Sequence, residues 1–452
     1  MNDRLGIHVV GAGGPGMSAL ARLLHEMGHR VTACDIKVSD ATSRLERDGV
    51  PVAHGNDESH LDGIDIVTYS SAMRPDHHEL RAAKGRGALL HSRAEALAMA
   101  CRARPTIGVA GTHGKTTTTA MLSTILIECG MDPSYVIGGE TSLPGSNAHW
   151  GGGDVLVVEA DESDSTHLQL PLRAAVVTNV DVDHLDNFGS FDEIVRSFQR
   201  FVTVVDGPVV VGFDDLRSRE LGSSRDVTSF GIEGGEYRAV DVELHPGRVN
   251  FTLVHGSTRH RVDVEQRGIH NVRNALGAIA AAHVWGVDLG DACSAIHRFH
   301  GVARRFDVRG SARGTTFVDD YAHLPAEIIS TLAAARSEAG TRRIIAVFQP
   351  NRFNRMDKMS AEYRDAFVDA DVAVITEIYA SGTTPIEGVS GTLVVDAVRS
   401  AHPGSDVRWC PDRSVLIDEV ANLVRDGDVC VSMGCGDIEL LPGEVMKKIG
   451  SS

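Results

Sequence analysis

Val109-Ala110-Gly111-Thr112-His113-Gly114-Lys115-Thr116-Thr117-Thr118 is the stretch on which the fold turns. It follows an apolar, β-branched run from Thr106 to Ala110 that reads as a buried strand. The glycines let the backbone turn sharply with its N–H groups directed inward. Lys115 adds a point charge, and Thr116 and Thr117 add hydroxyls able to face a metal ion. Thr118 to Ile127 then reads as a helix whose positive N-terminal end points back at the loop. Strand, glycine loop and helix together form a phosphate cradle. The strict pattern has a glycine five residues before Gly114, where this chain carries Val109. The loop is therefore a shortened variant, G-T-x-G-K-T.

The chain has 452 residues, a length that suggests about three domains. Apolar residues make up 42% and charged residues 23%, ordinary values for a globular protein with a large core. A net charge of -17, with no polybasic run, speaks against nucleic-acid binding. It also means that any nucleotide site must attract phosphate locally. The seven cysteines are scattered and include no C-x-x-C pair, which fits a reducing compartment and argues against a structural zinc. The opening MNDRLGIHVVGAGG enters a strand without a basic-then-apolar leader, and no apolar run is long enough to span a bilayer. A cytoplasmic protein without membrane insertion is expected.

From the N-terminus, Ile7 to Val10 reads as a strand, followed by Gly11-Ala12-Gly13-Gly14-Pro15-Gly16-Met17-Ser18 and a helix ending at Gly28. Arg30 to Cys34 is a second strand with Asp35 at its tip. Strand, glycine turn, helix, strand and acid match the dinucleotide fingerprint, which leaves a nicotinamide-dependent oxidoreductase as one reading. Ile64 to Tyr69 leads into Ser70-Ser71, and Ser92-Arg93-Ala94-Glu95 opens another helix. Arg102 to Pro105 reads as a first linker.

Beyond the cradle, Asp154 to Val158 and Ala174 to Thr178 read as strands that end in Glu159-Ala160-Asp161-Glu162-Ser163-Asp164 and Asn179-Val180-Asp181-Val182-Asp183-His184. The alternation of strands and helices indicates a parallel α/β sheet. Residues from Val227 to Gln266 alternate apolar and polar positions and read as antiparallel strands at the sheet edge. Gly268 to Ala275 begins a helix, and a second linker is expected near Arg309 to Gly314. The last third alternates again, with strands near Thr316–Asp319, Ile344–Phe348, Val372–Ile375 and Val429–Ser432. Its helices are expected to begin near Pro325, Met359, Thr392 and Ser414. The expected architecture is α/β in three domains: a Rossmann-like unit (1–104), a central P-loop-type unit with antiparallel edge strands (105–310) and a Rossmann-like C-terminal unit (311–452).

Ligands of open α/β sheets bind at the carboxyl ends of strands, where these polar clusters fall. Glu159 and His184, with Thr116, suit Mg²⁺ or Mn²⁺ beside nucleotide oxygens. Asp161, Glu162 and Asp164 read as solvated acids. Arg352 and Arg355 follow a strand and can pair with a carboxylate, and Tyr321 and His323 sit at another strand end.

The motifs G-T-H-G-K-T-T-T, E-A-D-E-S-D, T-N-V-D-V-D-H, G-x-H-N-x-x-N-A, R-R-F-D, D-D-Y-A-H and F-Q-P-N-R-F-N-R run through the whole chain. Together they resemble the ATP-dependent Mur ligases of peptidoglycan synthesis. G-A-G-G-P-G-M-S, with Tyr379-Ala380-Ser381-Gly382, Pro385-Ile386 and Gly388-Val389-Ser390-Gly391, resembles the branch that adds L-alanine to UDP-N-acetylmuramate; a relative that attaches a recycled peptide is the alternative.

The resemblance implies ATP with Mg²⁺ or Mn²⁺, an acyl-phosphate intermediate, and UDP-N-acetylmuramate and L-alanine as substrates, in a monomer or a homodimer. It implies that Gly13, Gly14, Gly16, Met17, Ser18, Ser70, Ser71 and Arg93 hold the UDP end, with Asp35 toward the uridine. Gly111, Thr112, His113, Gly114, Lys115, Thr116, Thr117, Asn271, Asn274, Arg305 and Asp320 are implied at ATP, Asn274 at the adenine and Asp320 at the ribose, with His270 at the nucleotide or sugar. Arg304 or Arg305 is implied at the γ-phosphate, and Tyr321, His323, Arg352 and Arg355 at the amino acid. Lys115, His184, Arg305 and His323 are implied in catalysis; Thr116, Glu159 and His184 at the metal. The chain departs from the usual family pattern at Leu324, where a second histidine is common, and at Asn351, where a histidine precedes the arginine. The segment Phe191 to Phe201 has no lysine, so the carbamylated lysine of several relatives is not expected.

Overall fold

The structure is a computed structural model that describes residues 4–450 apart from 56, 71, 72, 74–76, 184 and 224. Ser71 and His184, both implied at the site, lie outside the described residues.

Three sheets follow one another along the chain. The first has five strands in the order Val52–His54, Arg30–Asp35, Gly6–Val10, Ile66–Tyr69 and Leu89–Ser92, all parallel. Gly6–Val10 is fully buried because it lies at the centre, with helices on either side of the sheet. The helix Pro15–Glu26 starts with proline at its first turn, where a missing N–H costs nothing.

The central sheet has ten strands. Thr106–Ala110 lies between Ala174–Val177 and Leu156–Glu159, parallel to both. Val209–Gly212 extends one side, and Ser134–Val136 with Ala148–His149 closes the other. The run from residue 227 is mostly as expected: Tyr237–His245, Arg248–His255 and Thr258–Val264 form an antiparallel meander. Its first strand differs, since Thr228–Gly231 pairs in parallel with both neighbours and so still belongs to the α/β rhythm. The helices Lys115–Glu128 and Ile269–Val284 are buried nearly all round and pack on one face of this sheet. Inside the first of them, Thr119, Ser123 and Thr124 satisfy their hydroxyls on carbonyls four residues back.

The third sheet runs Asp307–Ala312, Thr315–Asp320, Val429–Met433, Ile344–Phe348, Val372–Ile375 and Val407–Trp409. The expected linker at 309–314 is instead a β-hairpin. Asp307–Ala312 pairs antiparallel with Thr315–Asp320, so residues 307–310 belong with this sheet. The helix expected near Met359 is Phe353–Met359, continued by a 3₁₀ segment Ser360–Asp365. The Pro350-Asn351 turn hides its start from a periodicity reading.

The units are firmly joined. One apolar cluster runs from Leu20 and Leu24 of the first to Val136 and Ala148 of the second. Glu26 accepts the Trp150 N–H at 2.7 Å, and Arg44 meets Glu140 at 2.8 Å. Glu338 of the third unit accepts from Gly247 N and Arg267 Nε of the second.

Candidate active site

Gly111 sits at φ +129° and Gly114 at φ +81°, conformations that a side chain disfavours. A Cβ on Gly111 would lie 2.0 Å from Thr178 Oγ1, and one on Gly114 would lie 2.4 Å from Asn274 Oδ1. The loop is therefore threaded between two strand ends and the helix Ile269–Val284. Among the described residues no side chain caps the helix Lys115–Glu128, which leaves its first-turn amides for a ligand. Asn179 shapes the loop from the neighbouring strand: its Oδ1 accepts from His113 N at 2.8 Å and its Nδ2 donates to His113 O at 3.0 Å.

Lys115 folds back over this loop. Its Nζ donates to Gly111 O at 2.6 Å and lies 2.9 Å from both oxygens of Glu162. Glu162 is 3% exposed, so it is a buried partner and not the solvated acid expected. Burial opposes the lysine charge, but Glu162 and Asp161 outweigh it and raise its pKa. Thr116 Oγ1 donates to Glu159 Oε2 at 3.2 Å, and Gly138 N donates to Glu159 Oε1 at 2.5 Å. Burial raises the Glu159 pKa. A hydroxyl and a buried carboxylate offer hard oxygens side by side, a donor pair that fits Mg²⁺ or Mn²⁺.

A cavity of about 400 Å³ opens beside the loop, lined by Gly114, Thr117, Asn179, Phe230, His270 and Asn271 among others. A second, of about 210 Å³, is lined by Lys115, Tyr321, His323, Arg352, Arg355 and Cys435 among others. Gly114, Thr116, Arg305 and Glu327 line both, so the two spaces meet over the phosphate loop.

Arg304 and Arg305 part company here. Arg304, at φ +62°, pairs with the buried Asp319 at 3.0 Å and with Glu439 at 2.9 Å. Arg305 faces the junction of the cavities over the Tyr321 ring. Asp320 lines the larger cavity and accepts the N–H groups of Phe306 and Ala322, both at 2.7 Å. Burial raises its pKa to about 6. Asn274, expected at an adenine, stands against Gly114 and shares its amide with Asn271 at 3.0 Å. His270 lines the same cavity, and burial lowers its pKa to about 4.

His113 spans two units. Its Nε2 lies 3.1 Å from Asp181 and its Nδ1 3.2 Å from Glu327 of the C-terminal unit. An imidazole between two carboxylates donates from both nitrogens only when protonated. Burial opposes that state, but the two hydrogen bonds prevail and the pKa rises to about 9. Glu327 also accepts from the backbone N–H groups of His323 and Leu324, and its pKa is lowered although burial works the other way.

Arg355 was expected at an amino-acid carboxylate. Its guanidinium donates to Asp183 Oδ1 at 2.7 Å across the domain junction and to Asn351 Oδ1 at 2.6 Å, so both terminal nitrogens are already engaged. The departure at Asn351 thus supports Arg355. Arg352 holds φ +61° at the start of its helix and lines the smaller cavity. His323 Nδ1 donates to Tyr321 O at 3.0 Å, which leaves Nε2 as an acceptor. Burial lowers its pKa to about 4, so the ring is neutral. Tyr321 meets that ring edge to face.

The N-terminal glycine turn stands apart from these cavities. Gly11 N and Ala12 N donate to Cys34 O, and Gly13 N donates to Asp35 Oδ2 at 2.8 Å. Asp35, which the resemblance implies toward the uridine, thus also braces the glycine turn. Ser70 lies beside Gly11, and Arg93 beside Gly16. Gly14 precedes the helix, Met17 is buried in its first turn, and Ser18 donates to Pro15 O. Arg93 also reaches Asp164 at 3.5 Å and Asp161 at 3.8 Å, which brings the turn toward the central unit.

Glu327 and Glu162 were missed by sequence reasoning. Glu327 lies two residues after Pro325, at a position where acids cap helix starts, and that signal was available. Nothing local separates Glu162 from its acidic neighbours.

Fold and site define a three-domain nucleotide-binding enzyme with a phosphate loop that opens toward its C-terminal domain. The comparisons with known proteins agree. Residues 6–105 match the Mur ligase family catalytic domain, 109–282 the Mur ligase middle domain, and 304–436 the Mur ligase glutamate ligase domain. The UDP-N-acetylmuramate–L-alanine ligase of Rubrobacter xylanophilus is 40% identical, over 98% of this chain and 100% of that one. The crystal structure of UDP-N-acetylmuramate–alanine ligase from Thermotoga maritima superposes with a TM-score of 0.83 at 28% identity, covering 99% of each chain. A murein peptide ligase from Psychrobacter arcticus gives 0.74 at 25% identity, also over 99% of each. The chain belongs to the Mur ligase family. Among the described residues no helix is long and apolar enough to cross a membrane.

Proposed function

We propose that this chain is a cytoplasmic, ATP-dependent ligase that joins L-alanine to the lactyl carboxylate of UDP-N-acetylmuramate in peptidoglycan precursor synthesis. The observation that carries the reading is the meeting of the two cavities over Gly114, Thr116, Arg305 and Glu327. A nucleotide in the larger space presents its terminal phosphate to the arginine-lined smaller one. The work divides among 1–104 for the UDP end, 105–306 for ATP and 307–452 for the amino acid.

In the first step a lactyl carboxylate oxygen bonds to the γ-phosphorus, the bond to the β–γ bridging oxygen breaks, and ADP leaves. In the second the alanine nitrogen bonds to the acyl carbon, the acyl–oxygen bond breaks, and phosphate leaves with loss of an amine proton. The first step brings anions together, so cationic groups at the junction matter most. Lys115 moves from Glu162 onto the phosphate oxygens, and Arg305 meets them from the other side. Gly111, Thr112, His113 and Thr117 complete the cradle, with Asn271, Asn274 and Asp320 along the nucleotide. Thr116 and Glu159, with His184, would hold a divalent ion, which would offset phosphate charge. Arg352, with Arg355 held beside it, receives the alanine carboxylate. Tyr321 walls the pocket, and neutral His323 presents Nε2 as an acceptor for the amine. Gly13, Gly14, Gly16, Met17, Ser18, Ser70, Ser71 and Arg93 hold the pyrophosphate end, while Asp35 braces the turn toward the uridine.

Phosphate release from ATP tests this. Release that requires both UDP-N-acetylmuramate and L-alanine supports the reading. Release with a tripeptide but not with L-alanine reassigns the chain to peptide recycling.

A further inference from the structure

Four side chains that the ligase reaction does not use converge inside the N-terminal unit. His8 comes from the central strand Gly6–Val10 and Cys34 from the neighbouring Arg30–Asp35. His60 comes from the 3₁₀ segment Glu58–Leu61 and Glu79 from the helix His78–Gly85. One donor atom from each lies within 4.8 Å of the other three. His8, Cys34 and Glu79 are wholly buried, and the His60 side chain is 16% exposed.

The separations are informative. His8 Nε2 is 3.3 Å from Cys34 Sγ and 3.4 Å from Glu79 Oε1. His60 Nδ1 is 3.4 Å from Glu79 Oε1, and Cys34 Sγ is 3.6 Å from it. The nitrogen–oxygen gaps are long for hydrogen bonds, and among the described residues His60 Nδ1 makes none. Donors bonded at about 2.0–2.3 Å to a tetrahedral ion stand about 3.3–3.8 Å apart, which is this spacing.

Charge and orientation agree with that. Glu79 is a buried carboxylate whose ion-pair partners, among the described residues, are two histidines and no lysine or arginine. Such a group is costly unless a full positive charge offsets it. One divalent ion with a thiolate and a carboxylate makes the site neutral. His8 Nδ1 is hydrogen-bonded to Thr32 Oγ1 at 2.8 Å, an outer partner of the kind that fixes a ligand imidazole with Nε2 turned to the ion.

We propose that His8, Cys34, His60 and Glu79 form a closed, four-coordinate structural site for Zn²⁺. Two nitrogens, one sulfur and one oxygen suit this borderline ion better than Mg²⁺. The Cys34 thiol gives its proton to solvent as the sulfur–zinc bond forms, so uptake weakens as pH falls. His60, the one partly exposed ligand, marks the way in. The ion ties the strand pair to the segment Glu58–Leu61 and the helix His78–Gly85. It also steadies the glycine turn, because the Cys34 carbonyl accepts the Gly11 and Ala12 N–H groups at 2.9 and 3.1 Å. The inference stands apart from the ligase reading.

The test uses the full chain without a histidine tag. Chelator-stripped protein is titrated with Co²⁺ as a spectroscopic probe and, separately, with Zn²⁺ during thermal unfolding. The wild type is expected to bind one Co²⁺ with tetrahedral visible bands and a thiolate-to-cobalt charge-transfer band, and to unfold several degrees higher with Zn²⁺. Cys34→Ser should lose the charge-transfer band, and His60→Ala should weaken uptake at least tenfold. Both should lose the zinc-dependent shift. His60 is near the surface, so His60→Ala stays informative if Cys34→Ser does not fold. No Co²⁺ uptake, or a wild-type spectrum without a thiolate band, overturns the proposal and leaves a metal-free hydrogen-bonded cluster. Uptake that neither variant changes overturns it too, since the ion then sits at oxygen ligands elsewhere.

Discussion

Arg355 Nη2 and Asp183 Oδ1 face each other at 2.7 Å across the junction of the central and C-terminal units, each side chain only 6% exposed. The acid belongs to the strand-end segment that leads into His184, and the base to the helix Phe353–Met359. A contact between two such segments couples the position of the smaller cavity's C-terminal wall to that of the phosphate loop. Removing one member of a buried pair strands the other charge, a loss of about 3–5 kcal/mol. Asp183→Ala is expected to lower unfolding stability by that order in denaturant titration. The double change Asp183→Leu with Arg355→Met should cost clearly less. A double cost equal to the sum of the two single costs would mean the pair adds no coupling.

Lys115 is held by Glu162 in this structure and reaches phosphate in the reaction proposed above. Lys115→Ala is expected to cut turnover by about 10²–10³-fold, the usual loss for a transition-state charge partner. Glu162→Gln should leave the lysine freer and alter KM for ATP more than kcat. Steady-state kinetics on both variants, with circular dichroism to confirm folding, separates the two effects.

Gly114→Ala tests the loop geometry. The added Cβ would meet Asn274 Oδ1 at 2.4 Å, at a φ of +81° that alanine disfavours. KM for ATP should rise tenfold or more. Truncation of the neighbour in Gly114→Ala with Asn274→Ala should recover only part of the loss, because the backbone strain remains. Direct nucleotide-binding titrations check this.

The His113 bridge should respond to alkaline pH. Its pKa rises from 6.5 to about 9 because Asp181 and Glu327 stabilise the imidazolium against burial. A raised folded-state value means that the contribution is complete below pH 6.5 and disappears as pH climbs through about 9. The lowered pKa of Glu327 keeps its carboxylate charged throughout that window. Denaturation midpoints should therefore fall between about pH 7 and 10. Glu327→Gln should flatten that fall.

Arg352 holds φ +61° while lining the smaller cavity. Arg352→Ala is expected to raise KM for L-alanine at least tenfold with KM for ATP unchanged. Arg352→Lys should recover part of it, since a point charge replaces a fork. A change in both KM values would place this guanidinium on phosphate.

Local pattern carried much of the architecture. The strand Thr106–Ala110, the glycine loop and the helix after it are legible because apolar burial, backbone freedom and helix start all lie within about twenty neighbouring positions. The glycine turn at Gly11 to Gly16 was equally plain, and so was the alternation of strands and helices. Strands of two or three residues such as Ser134–Val136, Ala148–His149 and Val407–Trp409 were not, since they are too short for periodicity to register.

Long-range pairing made the remaining choices. Which of the adjacent Arg304 and Arg305 turns to the cavity depends on Asp319, fifteen residues away and fully buried. Whether Glu162 is solvated or closes on Lys115 depends on how two strand ends meet, and Asp35 braces Gly13 only because the first two strands are parallel neighbours. Cysteine spacing argued against zinc, yet the sheet brings Cys34 to His8, His60 and Glu79 from four separate elements. Periodicity and turn chemistry act between near neighbours and can be read along the chain. The partner of a charge is set by which chain segments pack together, and only the folded structure decides that.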